Sequence, residues 1–327
     1  MQELINSSTR PQFNLALEEY VLKNLAGEYF FIWQDEPAII VGRNQNTAAE
    51  INEDYVKANG IHVVRRLTGG GAVYHDLGNI NFTMIVDDPG GAGFDFQSFT
   101  RPIVKALANA GIAAECSGRN DITIQGKKFS GNAQYRYGSR LLHHGTLLFA
   151  TDLSVLGSAL RVKPQKIEAK GVKSVQSRVT NIADYAPGLS LGGFKHLVID
   201  WLHKEYSAEA DAYQLSNQEY QVVQQLADNK YSSWAWNFGQ SPKYNLVRSH
   251  RFDWGEVEVF LEVRSGKIDS IKLYGDFFAA DDLTQLEQAL TGISYEAGAI
   301  NERISQLDIN RYLPQMDKGV FCKLIID

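Results

Sequence analysis

Four stretches of this chain have the residue types and spacing for chemistry on an anion. The first is Arg65-Arg66-Leu67-Thr68-Gly69-Gly70-Gly71-Ala72-Val73-Tyr74-His75-Asp76. Glycine has no Cβ, so its backbone approaches a phosphate or carboxylate closely and takes positive φ at little cost. Successive N–H groups in such a turn can form an anion nest. The two arginines upstream are forked donors suited to phosphate or carboxylate. A tight hairpin turn is the plainer reading, although one or two glycines suffice for that. The segment is not a P-loop, because no Gly-Lys-Ser/Thr follows and no Gly-x-Gly-x-x-Gly opens a helix.

The second stretch runs from Gly118 to Ala133 and places Lys128 beside Ser130-Gly131. A lysine there can reach an anion held by the glycine loop as a compact point charge. Taken alone, a Lys127-Lys128 pair at a hairpin is most often just solvated. Asp121 suits a magnesium or ribose contact, but alone it reads better as a strand-edge carboxylate. The third stretch is Leu142-His143-His144-Gly145-Thr146-Leu147. Neighbouring strand residues point to opposite faces, so this pair cannot chelate one metal. No Glu-x-x-His spacing supports zinc either, and a hydrogen-bonded core histidine is the better role. The fourth, 161–178, holds Arg161, Lys163, Lys166, Lys170, Lys173 and Arg178 against one acid, Glu168. It suits guidance of a polyphosphate or an acidic macromolecule, or is simply a solvated basic helix face.

These stretches need a scaffold, and hydrophobic periodicity supplies its outline. Leu17, Val21 and Leu25 mark a helix over Asn14–Leu25, with Glu18, Glu19 and Lys23 elsewhere on the wheel. Strands are expected at Tyr29–Trp33, Ala38–Gly42, Ile61–Arg66, Ile80–Val86, Asp121–Gln125 and Leu141–Phe149. In Ile80–Val86, Ile80, Phe82, Met84 and Val86 take one face and Asn81 and Thr83 the other. A Gly126-Lys127 turn is expected after Asp121–Gln125. Phe99, Ile103 and Leu107 mark a helix ending at Gly111. Residues 152–235 read as mainly helical, with an amphipathic Phe194–Tyr206 and a capping box at Ser216–Glu219. Gly239–Lys243 is the best boundary between domains. Beyond it come a hairpin (Val257–Val263 and Ile268–Leu273), helices at Leu283–Leu290 and around Asn301–Leu307, and a final strand at Val320–Ile326.

At 327 residues the chain is long enough for about two domains. Hydrophobic residues at 44% and aromatics at 11% exclude disorder and low complexity. A net charge of −6 argues against a nucleic-acid protein. Two cysteines, Cys116 and Cys322, make neither a disulfide framework nor a cysteine zinc site. No apolar run approaches the roughly 20 residues that span a bilayer. The start, MQELINSSTRPQF, carries no basic region followed by an apolar one. The expectation is a cytoplasmic protein with reduced thiols and no membrane or nucleic-acid partner. There is no Gly-x-Ser-x-Gly motif.

The segments RRLTGGGAVYHDLGN at 65–79, KKFSGNAQ at 127–134, HHGTLLF at 143–149 and AKGVKSVQSRVTNI at 169–182 resemble those of the lipoate–protein ligase family. NLALEEY at 14–20, VGRNQN at 41–46, WNFGQSPKYN at 236–245 and IKLYGDFF at 271–278 fit as well, in the right order. The resemblance thus spans nearly the whole chain. It implies an α+β fold: a biotin/lipoate ligase catalytic domain, like that of class II aminoacyl-tRNA synthetases, with a mixed sheet and flanking helices. It also implies a small α+β C-terminal accessory domain, giving domains at 1–243 and 244–327.

The implied reaction is ATP-dependent. Lipoate and ATP give lipoyl-adenylate and pyrophosphate, then a lysine of an acceptor displaces AMP. The implied acceptors are lipoyl domains of 2-oxoacid dehydrogenase E2 subunits and the glycine cleavage H protein. Magnesium accompanies the nucleotide, and no protein-only metal site is expected. Lys128 corresponds to the family's essential lysine and would bridge the lipoate carboxyl and the phosphate. Arg66, Gly71, Ala72, Val73 and Tyr74 join it at ATP, and Gly70 and His75 join it at lipoate. Asn79 and Asp121 are candidates for nucleotide or magnesium contacts. Lys163, Lys166 and Lys170 fall in the family's adenylate-covering loop. Two rivals stand beside this reading. One is an octanoyl or lipoyl acyltransferase working through a cysteine thioester; such relatives place a nucleophilic cysteine downstream of the lysine segment, and here nothing between Lys128 and Cys322 is cysteine. The other is a non-catalytic protein that binds lipoyl domains.

Overall fold

The structure is a computed structural model, and it describes residues 1–88, 90, 94–160, 178–206, 211–238, 246–264 and 266–326. Lys163, Lys166 and Lys170 and the Gly239–Lys243 boundary lie outside the described residues. The chain forms two compact units. One comprises Met1–Val41, Thr47–Leu67 and Ala72–Asn237; the other comprises Gly42–Asn46, Thr68–Gly71 and Phe238–Asp327.

The first unit is built on a seven-stranded sheet. In chain order its strands are β1 (Gln2–Glu3), β2 (Tyr29–Trp33), β6 (Asn79–Asp87), β7 (Glu115–Ser117), β8 (Asp121–Ile124), β9 (Lys127–Tyr137) and β10 (Arg140–Leu148). The spatial order is β1-β2-β6-β10-β9-β8-β7. The β1–β2 pair is parallel and the other pairs are antiparallel, so the sheet is mixed. A smaller sheet joins β3 (Ala38–Val41) to β4 (His62–Arg65), in parallel, and to β5 (Val73–His75), antiparallel.

Helices of eight or more residues, among the described residues, are α1 (Pro11–Asn24), α2 (Gln97–Asn109), α3 (Leu191–Glu205), α4 (Asn217–Leu226), α5 (Leu283–Leu290), α6 (Ala297–Ser305) and α7 (Lys318–Ile326). None of the described helices is long and apolar enough to cross a membrane. Helices α2 and α3 cover one face of the large sheet, packing Ile103, Leu107, Phe194, Val198 and Leu202 on Ile80, Phe82 and Met84. Helix α1 belongs to the other core, with Phe31, Trp33 and Ile85. The alternation expected in β6 thus sends Asn81 and Thr83 away from the α2–α3 face.

Helix α1 departs from its expected amphipathic form. Pro11 starts it with φ already set for a helix. Asn14, Glu18 and Glu19 are buried along with the apolar residues. A buried carboxylate is tolerated only when it is paired and hydrogen-bonded. Glu19 meets Lys23 and Lys230 at 2.6 Å each and Tyr231 Oη at 2.7 Å. Burial pushes its carboxyl up, but these hydrogen bonds outweigh that and hold it low.

The second unit carries a three-stranded antiparallel sheet, β11 (Leu246–Phe252), β12 (Gly255–Arg264) and β13 (Lys267–Gly275). Val257, Val259, Leu261, Ile271 and Leu273 pack on Leu286, Ile300, Phe321 and Ile325. The expected final strand at Val320–Ile326 is helix α7. Its buried residues, Phe321, Cys322, Leu324 and Ile325, follow helical spacing. Asp317 Oδ1 accepts from Val320 N at 3.0 Å at the start of this helix, a cap that the apolar run obscures. The helix expected around Asn301–Leu307 lies at Ala297–Ser305.

Candidate active site

Lys128 is the second residue of β9, just past the hairpin turn. The turn before it is Gln125-Gly126, with φ of 51° and 73°, one residue earlier than expected. Positive φ at both central residues suits a hairpin with the native twist. The β8–β9 register shifts between Ile122 and Thr123, which leaves Thr123 opposite Lys128 and Ile122 opposite Ser130. Such a bulge re-aims a side chain. Lys128 Nζ sits 2.7 Å from Asp121 Oδ1, and both side chains are over one-third exposed. A Cβ at position 131 would come within 3.0 Å of Nζ, so Gly131 makes room for the ammonium. The strand is held where the basic stretch ends: Lys128 N donates to Arg178 O (2.6 Å) and Thr180 N to Lys128 O (2.9 Å).

Arg66 and Tyr74 are buried. Arg66 Nη1 donates to Ile40 O at 3.0 Å. Burial pulls its pKa down to about 10 and the nearby Arg65 adds to that, while the Glu18 charge opposes it. The guanidinium therefore remains a fixed cation at neutral pH. The Tyr74 phenol is pushed up to about 12, mainly by burial and then by Asp76 and Asp152. Ala72 and Val73 are half-buried, and Val73 pairs with Ile40 across the β3–β5 ladder.

A network of buried polar side chains runs over the α1 side of β6. Trp33 Nε1 donates to Thr83 Oγ1 (2.8 Å), and Thr83 Oγ1 donates to Glu18 Oε1 (2.6 Å). His144 Nδ1 meets the same carboxylate at 2.9 Å. Asn79 Nδ2 donates to Asn81 Oδ1 at 2.8 Å. His75 Nδ1 lies 2.8 Å from Asp35 Oδ2. Among the described residues, His75 Nε2 and Asn79 Oδ1 are buried with no hydrogen-bond partner. Buried polar groups seldom stay unpaired, and each such atom calls for an explanation. His143 takes the opposite face, as expected. It meets Gln134 Nε2 at 2.9 Å and stacks on Phe99 at 4.7 Å.

The three glycines belong to the second unit and are there for three separate reasons. A Cβ at Gly69 would lie 2.4 Å from Phe277 O. Gly70 has φ +91°, and its N–H points to Phe277 O at 3.4 Å rather than outward. Gly71 is exposed, with open space where a Cβ would be. Nearby, Arg43 N donates to Thr68 O (2.8 Å), and Gly275 N to Asn44 O (2.7 Å).

Sequence patterns singled out Lys128, Asp121, Arg66 and His75. They missed Asn14, Glu18, Trp33 and Asp35 as members of a polar network. The available signal was Asn14 and Glu18, two polar residues at i, i+4 in a helix with apolar residues on every side. Among the described residues, no group of three His, Cys, Asp or Glu could hold a metal ion.

Residues 10–203 match the model of the lipoyl protein ligase A/B catalytic domain, and residues 241–325 match that of the bacterial lipoate protein ligase C-terminus. The chain is 44% identical to lipoate–protein ligase 1 of Staphylococcus aureus over 98% of both chains. It is 42% identical to a Bacillus subtilis lipoate–protein ligase over 96% of both. Its fold is similar to that of P. falciparum LipL1 in complex with lipoate, with TM-score 0.83, 25% identity and 99% of both chains covered. A lipoate–protein ligase A bound with ATP aligns with TM-score 0.62 and 26% identity, over 73% of this chain and 98% of that one.

Proposed function

The chain belongs to the lipoate–protein ligase family, and from that premise we propose that it activates lipoate with ATP and transfers it to a lysine of an acceptor domain. The observation that carries this reading is Lys128. Its ammonium is partly exposed, is held by one carboxylate and has a glycine beside it. A carboxylate attacking an α-phosphate brings two anions together. The site must stabilise the charge that develops more than it stabilises the bound ground state. Lys128 would exchange Asp121 for the lipoate carboxyl and the phosphate, acting as a charge and not as a nucleophile. Arg66 adds a fixed cation, and the backbone from Gly71 to Tyr74 adds donors for the nucleotide. In the second step AMP is a good leaving group, so the acceptor amine needs orientation more than activation.

We assign the catalytic domain to 1–243 and the accessory domain to 244–327, with 161–173 as the segment that covers the adenylate. Exclusion of water there would protect the anhydride. Magnesium enters as the counterion of the polyphosphate, with Asn79 and Asp121 as the candidate contacts; the described residues offer no metal cage of their own. Lipoyl domains of E2 subunits and H protein are the proposed acceptors, and the cytoplasm the proposed compartment. A thioester route is disfavoured. Cys322 is buried in α7. Burial pushes its thiol up, the wrong direction for a nucleophile. Cys116 lies on the edge strand β7, with its sulfur 3.3 Å from Thr100 Oγ1.

The test is pyrophosphate release from ATP and lipoate. Lys128→Ala is expected to lower it by about a hundredfold or more, the scale of losing one transition-state donor. The fold should survive, since an exposed ion pair contributes only about 0–1 kcal/mol. Lys128→Arg should also be poor, because a planar fork does not replace a shared point charge. Near-normal release by Lys128→Ala would sink this assignment.

A further inference from the structure

Three separate segments of the first unit converge on Arg65, the buried last residue of β4. Its Nη2 donates to Thr47 Oγ1 at 2.6 Å and to Asn237 O at 3.0 Å, and its Nε donates to Trp236 O at 3.0 Å. Its main chain is tied to the same place. Arg65 N donates to Asn237 Oδ1 at 2.9 Å, and Trp236 Nε1 donates to Arg65 O at 2.8 Å. Asn237 Nδ2 donates to Tyr231 O at 2.8 Å, which turns the amide oxygen toward Arg65. Thr47 Oγ1 in turn donates to Asn237 O. Thr47 and Asn237 are both buried.

The positions of these residues along the chain are not arbitrary. Thr47 is where the chain re-enters the first unit, Asn237 is where it leaves for the last time, and Arg65 stands three residues before Thr68, where it leaves into the glycine loop. A guanidinium suits this place because it presents several donors in one rigid plane. For packing alone an apolar side chain would serve at least as well. Arg66, the next residue, donates from N to Val41 O at 3.0 Å and from Nη1 to Ile40 O at 3.0 Å. Successive residues of an extended chain point to opposite sides, so whatever sets the rotation of the backbone at 65 sets the direction of the side chain at 66.

We infer that Arg65, clamped by Thr47 and Asn237, is a positioning residue for the activation step: it fixes the end of β4 so that Arg66 is aimed at the nucleotide. This rests on the proposed reading of Arg66 as a nucleotide contact. A displacement of about 1 Å in such a group can cost about a hundredfold in rate, so a loosened clamp should be felt in the chemistry of adenylate formation.

The experiment uses the full chain with Thr47→Val, Thr47→Ser, Arg66→Ala and the double variant Thr47→Val/Arg66→Ala. Thr47→Val keeps the shape of the side chain and removes the hydroxyl that accepts from Arg65. Two rates are measured below the thermal midpoint of every variant: pyrophosphate release from ATP and lipoate without acceptor, and transfer from preformed lipoyl-adenylate to a lipoyl domain. For Thr47→Val, pyrophosphate release should fall about tenfold while transfer stays within about twofold. Thr47→Ser, which restores the hydroxyl, should recover release. In the Arg66→Ala background, Thr47→Val should add nothing, because groups that act as a unit are not additive. Asn237→Ala, which removes the acceptor of Arg65 N, repeats the test from the other side of the clamp. An equal fall in both rates would mean a structural role only and overturns the inference. So does unchanged release in both Thr47→Val and Asn237→Ala, or a full tenfold loss on top of Arg66→Ala. If Arg66→Ala itself releases pyrophosphate at the wild-type rate, the nucleotide role of Arg66 fails and the inference falls with it; if Arg66→Ala is slow and both clamp variants are not, the inference alone fails.

Discussion

At the residue scale, the two adjacent histidines of β10 behave as opposites, and one gives a pH prediction. His143 is fully buried, so burial first, and then the charge of His144, hold its pKa well below 6.5. In the unfolded chain it titrates near 6.5. Below that pH the unfolded state binds the extra proton and the folded state does not, so stability present above about 6.5 is lost as pH falls. His143→Gln keeps a hydrogen-bonding group but removes the titration. Between pH 7.5 and 5.5, wild type should lose stability more steeply than His143→Gln, by up to about 1.4 kcal/mol per pH unit. Urea titrations at three pH values measure this, and parallel slopes would refute it. Strand alternation alone was enough to expect that the two histidines face opposite ways. It could not pair His144 with Glu18, 126 positions away, or Asp35 with His75, because a contact between distant segments leaves no periodic trace.

At the element scale, most strands and helices were legible because each buries one face, and burial imprints a period of 2.0 or 3.6. Helix α7 was misread because Val320, Phe321, Ile325 and Ile326 favour strands by type while the buried positions have helical spacing. Strands β1, β5, β7, β9 and β11 were missed: β1 is two residues long, β7 is exposed throughout, and β11 places Arg248 and His250 where an alternating core strand would have apolar residues. The glycine loop yields a graded prediction. Gly69→Ala forces a Cβ against a backbone carbonyl, and Gly70→Ala puts a side chain at positive φ, which costs roughly 1–2 kcal/mol. Both should lower the thermal midpoint. Gly71→Ala meets open space and should not. Gly71→Val should instead raise KM for ATP, if the backbone there approaches the nucleotide. An unchanged KM for ATP in that variant would reduce the loop to a turn.

At the scale of the whole molecule, charge is the informative quantity. The chain carries −6 overall, yet six cations face one acid between Arg161 and Arg178. One lipoate carboxylate does not need so many, which leaves ATP and an acidic acceptor surface. Attraction between exposed charges is screened over about 8 Å at physiological salt, so its signature is a salt-sensitive encounter rate. Reversal of Lys163, Lys166 and Lys170 to glutamate should slow acceptor lipoylation from preformed lipoyl-adenylate and flatten its salt dependence, with little change in thermal midpoint. Wild-type rates and slopes in both half-reactions would mean a solvated face and nothing more.

The membership of the second unit has a consequence for anyone rebuilding this enzyme. Gly42–Asn46 and Thr68–Gly71 belong to it together with everything from Phe238 onward. Gly275 N is bonded to Asn44 O, and the Phe277 carbonyl leaves no space for a side chain at position 69. The C-terminal segment is therefore not a cassette. A chimera that takes residues 238–327 from a relative while keeping the native 42–46 and 68–71 mixes two halves of one fitted surface. A graft that transfers all three pieces keeps that surface whole, and the seams of a modular design should be cut at those five junctions rather than at a single linker.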